Sequence, residues 1–473
     1  MEEFKIYAAG DFIETEEQLP VINPFNGKSF AYTYLANYDI INFCINKAEE
    51  SFLKLKSLST YERFEILKFI SDEILKNKSS LTRIICEEAA KPLKYASLEV
   101  ERAAQTFLIA AEECKRISAE VIRLDWTPSS KNKEGIVNYF PIGIVSAISP
   151  FNFPLNLAVH KIAPAIAVGC PIILKPSSKT PLSTLFLAQI INKSLLPKGA
   201  FSVLPCSRTS GNLFVEDNRF KLLTFTGSPE VGWEMKKKAG KKKVVLELGG
   251  NAGVIISPSA NINKAIEKTI SGAFAYSGQV CIHTQRILVH ESIFESFIKL
   301  FCEATTKLKT GDPLNDQTDI SCMIDEENTK RVLSWLNEAV TNGAKILVGG
   351  KMEKNILLPT VITNTKEDQK INCEEVFGPV VTIEKYSQLK EAIKILNNSR
   401  FGLQAGLFSD SQKEINYAFQ KLEVGGVIIN DVPTYRADHM PYGGIKDSGL
   451  GREGVKYAMI DMLETKILVK DIE

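Results

Sequence analysis

One cysteine and one glutamate stand where their side chains could carry out chemistry. Cys281 lies in the segment Ser277–Arg286, and a cysteine thiolate is a strong nucleophile. His283 follows two residues later, but side chains at that spacing point apart on a helix, so we interpret His283 as structural. Glu247 ends an apolar run and precedes two glycines, where partial burial would raise its pKa toward that of a general base. The alternative for Glu247 is a solvated acid in a turn.

Three loops that follow apolar runs carry residues that suit a polar or anionic ligand. Asn152 offers an amide in the first loop, and Lys175 offers a cation in the second. In the third loop, Gly227 lets the backbone approach a ligand and Ser228 is a good N-cap, so a diphosphate could bind at the start of the following helix. The alternative is an ordinary helix start. The loop is not a Walker A motif, because Trp233 stands where the lysine would be.

The elements around these residues predict two α/β units. In both, short β-branched runs alternate with segments of helical period, which is typical of a parallel sheet covered on both faces. The first unit has predicted strands at Ile144–Ile148, Pro171–Leu174, Phe201–Leu204, Leu222–Phe225 and Val244–Leu246, and helices at Asn156–Val168 and Pro181–Leu195. The second runs from a strand at Ala252–Ile256 to one at Gly426–Ile429, with helices at Ile262–Ala275, Ile293–Leu308, Glu326–Thr341, Leu389–Asn397 and Lys413–Leu422. Ligands bind at the carboxyl ends of parallel strands, so we expect the candidate residues to meet there.

Other segments fit neither unit. Leu58–Ile117 has apolar residues at helical spacing among many Glu and Lys residues, which predicts amphipathic surface helices. Val121–Tyr139 and Met459–Val469 alternate like strands. We therefore expect these two segments to pair with each other or with another subunit.

The charge balance excludes broad electrostatic partners. The 57 Lys and Arg residues and 56 Asp and Glu residues give a formal net charge of +1, so the chain has no field to hold nucleic acid or an anionic membrane. The longest apolar stretch, Ile162–Leu174, is broken by two prolines and a glycine and is shorter than the roughly 18 residues of a membrane span. The N-terminus does not read as a signal peptide. We expect neither nucleic acid nor a membrane as partner.

The cysteine and histidine patterns predict a reducing compartment and no metal. The nine cysteines are irregularly spaced and form no C-x-x-C pair, which argues against a disulfide framework and a zinc site. The four histidines form no H-x-x-x-H pair. We therefore expect a cytoplasmic protein in which the other eight cysteines are small buried packing residues.

Together the motifs resemble the NAD(P)-dependent aldehyde dehydrogenase superfamily over nearly the whole chain. The matching motifs are Asn152 in F-N-F-P, Lys175-Pro176-Ser177, Gly227-Ser228, Glu247-Leu248-Gly249-Gly250, Gly278-Gln279-x-Cys281 with Arg286, Glu375-Val376-Phe377-Gly378-Pro379 and Tyr442-Gly443-Gly444-x-Lys446-x-Ser448-Gly449. The resemblance implies an α/β fold with a Rossmann-like cofactor domain (1–120 and 140–248), an α/β catalytic domain (249–430) and a small β oligomerisation arm (121–139 and 455–473). It also implies a homodimer or homotetramer.

The resemblance implies a role for each matching residue. Cys281 is expected to attack the aldehyde carbon, while the Asn152 amide and the Cys281 backbone N–H bind the developing oxyanion. After hydride transfer to the nicotinamide, Glu247 is expected to activate the water that hydrolyses the thioester to a carboxylic acid. Glu453 matches an acid sometimes assigned to proton relay. The residues expected at the cofactor are Lys175, Ser177, Ser178, Lys179, Gly227, Ser228, Glu375 and Phe377.

The cofactor is expected to be NADP or NAD, with NADP or dual use favoured. Family members that use NAD usually carry a glutamate three residues after the motif lysine, whereas this chain has Ser178 followed by Lys179. A carboxylate would repel a 2′-phosphate, but a serine leaves room for it and a lysine attracts it.

The substrate is expected to be a small polar aldehyde. Arg102 and Arg436 resemble residues of the branch that oxidises lactaldehyde, glyceraldehyde 3-phosphate and phosphonoacetaldehyde, and arginine suits anionic or hydroxylated groups. Phe153 and Val280 stand where the phosphonoacetaldehyde subgroup tends to place His and Arg, which argues against a phosphonate. We predict a lactaldehyde-like substrate. The alternatives are glyceraldehyde 3-phosphate or another semialdehyde, arginines that only form salt bridges, a catalytically silent scaffold, and ester or thioester hydrolysis without redox chemistry.

Overall fold

The computed structural model describes residues 1–472 and combines helices with several sheets. The α-helices are α1 (Tyr38–Ser57), α2 (Thr60–Lys76), α3 (Lys78–Ala89), α4 (Leu93–Cys114), α5 (Asn156–Val168), α6 (Leu182–Ile191), α7 (Arg208–Glu216), α8 (Pro229–Lys238), α9 (Ile262–Phe274), α10 (Phe294–Thr305), α11 (Glu326–Thr341), α12 (Lys370–Cys373), α13 (Leu389–Asn397), α14 (Gln412–Lys421) and α15 (Val455–Asp461). Short 3₁₀ turns lie at Pro128–Ser130, Ala275–Gly278 and Glu291–Ile293.

The strands are β1 (Glu2–Glu3), β2 (Ile6–Ala8), β3 (Asp11–Ile13), β4 (Gln18–Ile22), β5 (Ser29–Tyr34), β6 (Glu120–Arg123), β7 (Lys133–Pro141), β8 (Ile144–Ile148), β9 (Ile172–Lys175), β10 (Phe201–Val203), β11 (Phe220–Thr226), β12 (Lys243–Glu247), β13 (Gly253–Ile256), β14 (Arg286–His290), β15 (Lys345–Val348), β16 (Met352–Glu353), β17 (Ile356–Leu357), β18 (Thr360–Thr363), β19 (Val380–Tyr386), β20 (Phe401–Gly402), β21 (Gln404–Phe408), β22 (Gly426–Ile429), β23 (Ile445–Lys446), β24 (Gly449–Leu450) and β25 (Leu463–Asp471).

The first large sheet has the predicted parallel core. Its order is β24-β12-β11-β8-β9-β10-β2-β3, in which β12, β11, β8, β9 and β10 run parallel and the outer strands pair antiparallel. Two buried clusters cover it, one built mainly from α2 to α6 and the other including residues of α1 and α7. Because both faces are covered, the central strands are apolar throughout, as in Ile144–Ile148.

The second large sheet follows directly along the chain. Its order is β15-β18-β19-β14-β13-β21-β22, and only β15 runs antiparallel to its neighbour. The first sheet's β12 ends at Glu247 and β13 begins at Gly253. The carboxyl end of β12 therefore lies at the passage between the two sheets, which is where the sequence placed a glutamate and two glycines.

The region Leu58–Ile117 is helical as predicted, and its longest helix shows the expected amphipathic pattern. Helices α2, α3 and α4 fill this region. The inward side of α4 is buried at Ala96, Val100, Ala103 and Phe107, among other positions, because the helix packs against α2, α3 and α5. The small alanine side chains allow this close packing.

The two strand-like segments pair with each other, with one correction. β25 runs antiparallel to β7 from Leu463 to Asp471, and β6 pairs with the other edge of β7. The predicted strand at Met459–Val469 is wrong at its start, because Met459 lies in α15 and is buried against the first core. An apolar pattern this short fits a helix packed on α5 as well as it fits a strand.

Within residues 1–472, no helix is long and apolar enough to cross a membrane. The same part of the chain contains no group of three or more His, Cys, Asp or Glu side chains placed to hold a metal ion. All nine cysteines are free thiols, and the prediction of eight buried packing cysteines is wrong for Cys302 and Cys373, which are only partly buried.

Candidate active site

A cleft of about 730 Å³ opens at the carboxyl ends of the strands of the first sheet. Residues of both large sheets and their loops contribute to its wall. The sequence-predicted site residues that line it are Asn152, Lys175, Ser177, Ser178, Gly227, Ser228, Glu247, Cys281, Glu375 and Phe377. The fold therefore brings together the three predicted catalytic residues and most of the predicted cofactor residues.

A strained turn delivers Cys281 to the cleft. Tyr276, Ser277 and Gly278 all have left-handed backbone angles, with φ of 49°, 54° and 68°, which cost energy at the two residues that are not glycine. A Cβ on Gly278 would lie 2.1 Å from the carbonyl oxygen of Gly378, so no other residue fits there. Such strain persists only where neighbouring contacts hold it, and it is concentrated here just before the cysteine.

Asn152 is fixed beside the cysteine loop. Its Nδ2 donates a hydrogen bond of 2.9 Å to the backbone carbonyl of Gln279. Helix α5 begins just after the Asn152 loop, and the backbone N–H groups of Leu155 and Asn156 donate to Oε1 of Glu99 at 3.0 and 3.1 Å. A buried carboxylate suits the positive end of a helix. The loop is thus anchored on both sides of the amide.

A buried lysine connects the two loops. The side chains of Lys91 and Glu99 are both fully buried and form an ion pair. The Lys91 Nζ also lies 3.6 Å from the ring centroid of Phe153 and 4.3 Å from that of Tyr276, a cation–π arrangement that is strong when water is excluded. Burial lowers the pKa of Lys91, and Glu99 opposes that change. One ammonium group therefore contacts the loop of Asn152 and the turn before Cys281. Nothing in the sequence pattern pointed to it.

Glu247 is a buried carboxyl without a partner. Both of its carboxyl oxygens lack a hydrogen-bond partner among the described residues. Burial raises its pKa well above the ordinary value, and the nearby Glu453 raises it further. An unpartnered carboxyl at a cleft wall is available to a water molecule or a substrate. The solvated turn acid considered from the sequence is therefore wrong.

The turn after Glu247 needs its glycines to reach a second glutamate. A Cβ on Gly249 would lie 2.4 Å from Oε2 of Glu375. The Gly250 N–H donates to Oε1 of the same glutamate at 2.9 Å. Burial raises the pKa of Glu375 to about 7, and the Gly250 bond opposes that shift. The turn thus places Glu375 in the cleft wall.

The start of α8 is suited to the diphosphate of a dinucleotide. Ser228 is the N-cap, as predicted, but its side chain makes no capping hydrogen bond. Gly227 precedes it in the cleft wall. Free N–H groups at the positive end of a helix attract phosphate. Across the cleft, Phe377 packs edge-on against Phe151 with ring centroids 5.8 Å apart, which gives the cleft an apolar end.

The structure separates the two residues proposed to select the cofactor. Ser178 lines the cleft. Lys179 lies outside the lining and forms an ion pair with Asp325, so the expectation that Lys179 binds the cofactor is not supported by its placement. Arg208, the first residue of α7, lines the cleft instead. The sequence signal for it was its place after a parallel strand, β10, and that signal was overlooked.

Arg102 is also held away from the cleft. Its Nη2 and Nε donate to the carboxylate of Asp438 at 2.6 and 3.2 Å, and His160 contacts the same carboxylate at 2.8 Å. Burial alone would raise the pKa of Asp438, but His160 and Arg102 lower it far below the ordinary range. The geometry matches the salt-bridge alternative for Arg102.

Arg436 is buried close to the nucleophile. Its Nη2 donates to Glu453 at 3.0 Å, and its Cζ lies 3.8 Å from the ring centroid of Tyr442. Glu453 also accepts a bond of 2.9 Å from Lys161. Burial alone would raise the pKa of Glu453, but Lys161 and Arg436 lower it to about 2. An acid that stays ionised accepts no proton at neutral pH, which argues against a proton relay through Glu453.

The sulfur of Cys281 has one polar side-chain contact. The Tyr442 hydroxyl lies 3.0 Å from Sγ. Desolvation raises the pKa of the thiol to about 12, and the Tyr442 bond is the largest influence that lowers it. His283 instead contacts the Ala273 carbonyl at 2.8 Å and is buried, so its predicted structural role is confirmed. The Tyr442 motif was recognised in the sequence, but this contact was not foreseen.

Comparisons with known proteins identify the family of this chain. The aldehyde dehydrogenase family model matches residues 12–468. The chain is 40% identical over 473 residues to the 3-sulfolactaldehyde dehydrogenase of Priestia megaterium (strain ATCC 12872 / QMB1551), covering 100% of this chain and 99% of that protein.

Two solved structures share the fold. Aldehyde dehydrogenase 21 of Physcomitrella patens, in complex with the reaction product succinate, superimposes with a TM-score of 0.98 at 45% identity and covers 99% of this chain and 98% of its own. The glyceraldehyde-3-phosphate dehydrogenase GapN of Methanocaldococcus jannaschii, complexed with NADP, superimposes with a TM-score of 0.93 at 38% identity. The match covers 97% of this chain and 100% of the GapN chain. These matches confirm the predicted fold class and the predicted NAD(P) dependence. The chain belongs to the aldehyde dehydrogenase family and is an NAD(P)-dependent oxidoreductase that acts on aldehydes.

Proposed function

We propose that Cys281 is the nucleophile of this oxidation. Its thiolate attacks the aldehyde carbon, and the oxygen that becomes negative accepts hydrogen bonds from the Asn152 amide and the Cys281 backbone N–H. The supporting observation is the bond from Asn152 to the Gln279 carbonyl, two residues before the cysteine. Bound NAD(P)⁺ supplies the acceptor for the hydride that leaves the thiohemiacetal.

Glu247 then activates water against the thioester on Cys281. Its buried, unpartnered carboxyl has the raised pKa that a general base needs to work near neutral pH. The products of this step are a carboxylic acid and the free thiol. The branches of the family that transfer the acyl group to coenzyme A generally lack this glutamate, so its presence supports hydrolysis.

We propose NADP as the preferred cofactor. Ser178 and Arg208 both line the cleft, so the adenosine end of the cofactor would meet a small hydroxyl and a guanidinium. A carboxylate at this position would repel a 2′-phosphate, whereas a guanidinium attracts it. Lys175 and Glu375 also line the cleft, and we assign Lys175 to the hydroxyls of one ribose and Glu375 to the other ribose. The NADP complex of the M. jannaschii GapN supports this preference.

For the substrate, we propose a small hydroxylated or anionic aldehyde, with a lactaldehyde-like compound first. Arg436 is buried close to Cys281, where it pairs with Glu453. Arginine suits an anionic or strongly polar group, so this guanidinium supports such a substrate. The Priestia relative is named for sulfolactaldehyde and the Physcomitrella structure contains succinate. Glyceraldehyde 3-phosphate and other semialdehydes are the alternative, which the GapN match favours.

Purified protein should be incubated with lactaldehyde, sulfolactaldehyde, succinic semialdehyde and glyceraldehyde 3-phosphate, each with NAD and NADP separately. We expect reduced nicotinamide to form with at least one of them, faster with NADP, and a Cys281→Ala variant to form none. Equal rates from Cys281→Ala would show that the nucleophile is assigned wrongly. Hydrolysis of an ester by Cys281 without any aldehyde oxidation would favour the non-redox alternative, and neither reaction would favour a silent scaffold.

We further propose a reducing compartment such as the cytoplasm, because all nine cysteines are free thiols.

A further inference from the structure

Tyr442 is the side chain that meets the reacting sulfur, and the mechanism above gives it no role. Its hydroxyl oxygen is 3.0 Å from Sγ of Cys281, and its ring is buried. Its backbone is fixed, since Tyr442 and Glu453 exchange two hydrogen bonds, from the Tyr442 N–H to the Glu453 carbonyl at 3.0 Å and in return at 2.6 Å. The hydroxyl therefore has a defined position at the nucleophile.

The surroundings of Tyr442 make its hydroxyl a donor. Burial raises the pKa of the phenol well above its ordinary value, so the phenol keeps its proton at neutral pH. The Arg436 guanidinium lies 3.8 Å from the ring centroid and is held there by Glu453. A cation over the ring face draws electron density from the ring, which strengthens the O–H as a hydrogen-bond donor.

We propose that Tyr442 is a catalytic residue whose hydroxyl donates a hydrogen bond to the thiolate of Cys281. The proposal rests on the nucleophile assignment made above. When the thiol is activated, its S–H bond breaks and the proton passes through water to solvent, while the electron pair on sulfur forms the S–C bond to the aldehyde. When the thioester is hydrolysed, the attacking water gives a proton to the Glu247 carboxylate and forms a C–O bond, the S–C bond breaks, and the pair returns to sulfur. The Tyr442 O–H bond stays intact in both steps and stabilises the charge on sulfur each time.

The need for such a donor follows from the other groups that face the sulfur. Desolvation raises the pKa of the Cys281 thiol to about 12, and the carboxyls of Glu375 and Glu247 add to that rise. Tyr442 and Arg436 act in the opposite direction, and the tyrosine is the stronger of the two. Loss of the Tyr442 hydroxyl would lower the fraction of thiolate further.

The test is the pH dependence of alkylation in the Tyr442→Phe variant, which loses a single oxygen atom. Iodoacetamide is the probe, and mass spectrometry of the Cys281 peptide separates this site from the other cysteines. We expect the pH midpoint of alkylation to rise by about one unit and the rate near neutral pH to fall about tenfold, with the two proteins converging at high pH. The first turnover of NADP reduction should slow by a similar factor.

Tyr386→Phe is the matched control. Tyr386 is equally buried and also uses its hydroxyl, which donates to the Ile256 carbonyl at 3.2 Å, but it lies in β19 away from the cleft. We expect this variant to alkylate like the unmodified protein. If Tyr442→Phe does not fold, 3-fluorotyrosine at position 442 keeps the hydroxyl and makes it a stronger donor. The alkylation midpoint should then fall.

Two results would overturn the proposal. One is an alkylation profile of Tyr442→Phe that coincides with that of the unmodified protein. The other is a variant whose only change is a higher KM for the aldehyde, which would make Tyr442 a substrate contact. Alkylation needs no turnover, so it tests this proposal even if the aldehyde is misidentified. Full oxidation activity in Cys281→Ala would instead contradict the proposed function.

Discussion

At the scale of single residues, the ionisation of Glu247 should govern the pH dependence of the reaction. A general base must be ionised, and burial raises the pKa of this carboxyl well above its ordinary value. Hydrolysis of the thioester should therefore rise about tenfold per pH unit below that pKa and level off above it. Stopped-flow measurement of the step after the NADPH burst checks this. A Glu247→Gln variant should hydrolyse slowly with no such rise. An unmodified enzyme with a flat profile would contradict the assignment.

Ser178 should decide between the two cofactors. In Ser178→Glu, the new carboxylate would repel the 2′-phosphate and bind the ribose hydroxyls of NAD. We expect kcat/KM for NADP to fall by about 100-fold, a loss of about 2.7 kcal/mol of transition-state binding, while kcat/KM for NAD rises. Lys179→Ala serves as the control and should change little, because Lys179 is paired with Asp325. Unchanged preference in Ser178→Glu would contradict the cofactor proposal.

The sequence predicted single residues well where chemistry restricts the choice of side chain. Asn152, Glu247 and Cys281 were predicted because few residues can replace an amide donor, a base and a thiol nucleophile, and the fold brings all three to one cleft; their catalytic roles stay predictions. The contact between Tyr442 and Cys281 was not found. Those residues are 161 positions apart, and no local pattern records which distant side chains meet in a fold.

At the scale of elements, Lys91 and Glu99 should act as positioning residues for Asn152. Lys91→Met removes the ammonium but keeps most of the stem, so Phe153 and Tyr276 lose their shared cation. We expect kcat to fall about tenfold and KM for NADP to stay the same. Lys91→Arg should restore part of the rate. The double variant Lys91→Met with Asn152→Ala should lose no more of kcat than Asn152→Ala alone.

Glu88→Gln is the matched control for this prediction. Glu88 is also fully buried and also caps a helix, since it accepts from the Leu182 and Ser183 backbone N–H groups at 2.7 and 3.2 Å. It caps α6 rather than the helix after Asn152. Burial raises its pKa to about 8, so it is partly protonated already and resembles glutamine. We expect the kcat of Glu88→Gln to stay within twofold of that of the unmodified protein. Additive losses for Lys91→Met and Asn152→Ala would show that Lys91 acts only on general stability.

Elements were predicted from periodicity, and this worked best in the first sheet. β8 to β12 are short apolar β-branched runs that cannot be mistaken for amphipathic helices. The pattern failed at Met459, because so short an apolar stretch fits a buried helix as well as it fits a strand. The backbone turn at Tyr276 and Ser277 could not be predicted either, because residues other than glycine adopt a left-handed turn only when distant contacts stabilise it.

At the scale of the whole molecule, the three-stranded sheet is the predicted oligomer contact. β25 is an edge strand, and its Ile467, Leu468 and Val469 are about half exposed. An exposed apolar edge strand is a ready site for pairing. We expect a dimer or tetramer by sedimentation velocity, and a monomer for Leu468→Asp. Leu195→Asp changes another exposed leucine and should keep the oligomer. A monomeric unmodified protein would contradict this proposal. The boundaries of the three predicted domains are untested and stay predictions.

The most direct test of the account is to trap the acyl group on Cys281. Glu247→Gln should be mixed with NADP and the aldehyde that gives the fastest turnover, and intact-protein mass spectrometry should follow the reaction. We predict one equivalent of NADPH and a mass increase equal to the aldehyde less two hydrogen atoms, located on the Cys281 peptide. Rapid multiple turnover without any adduct, or the same adduct in a Cys281→Ala background, would contradict the account.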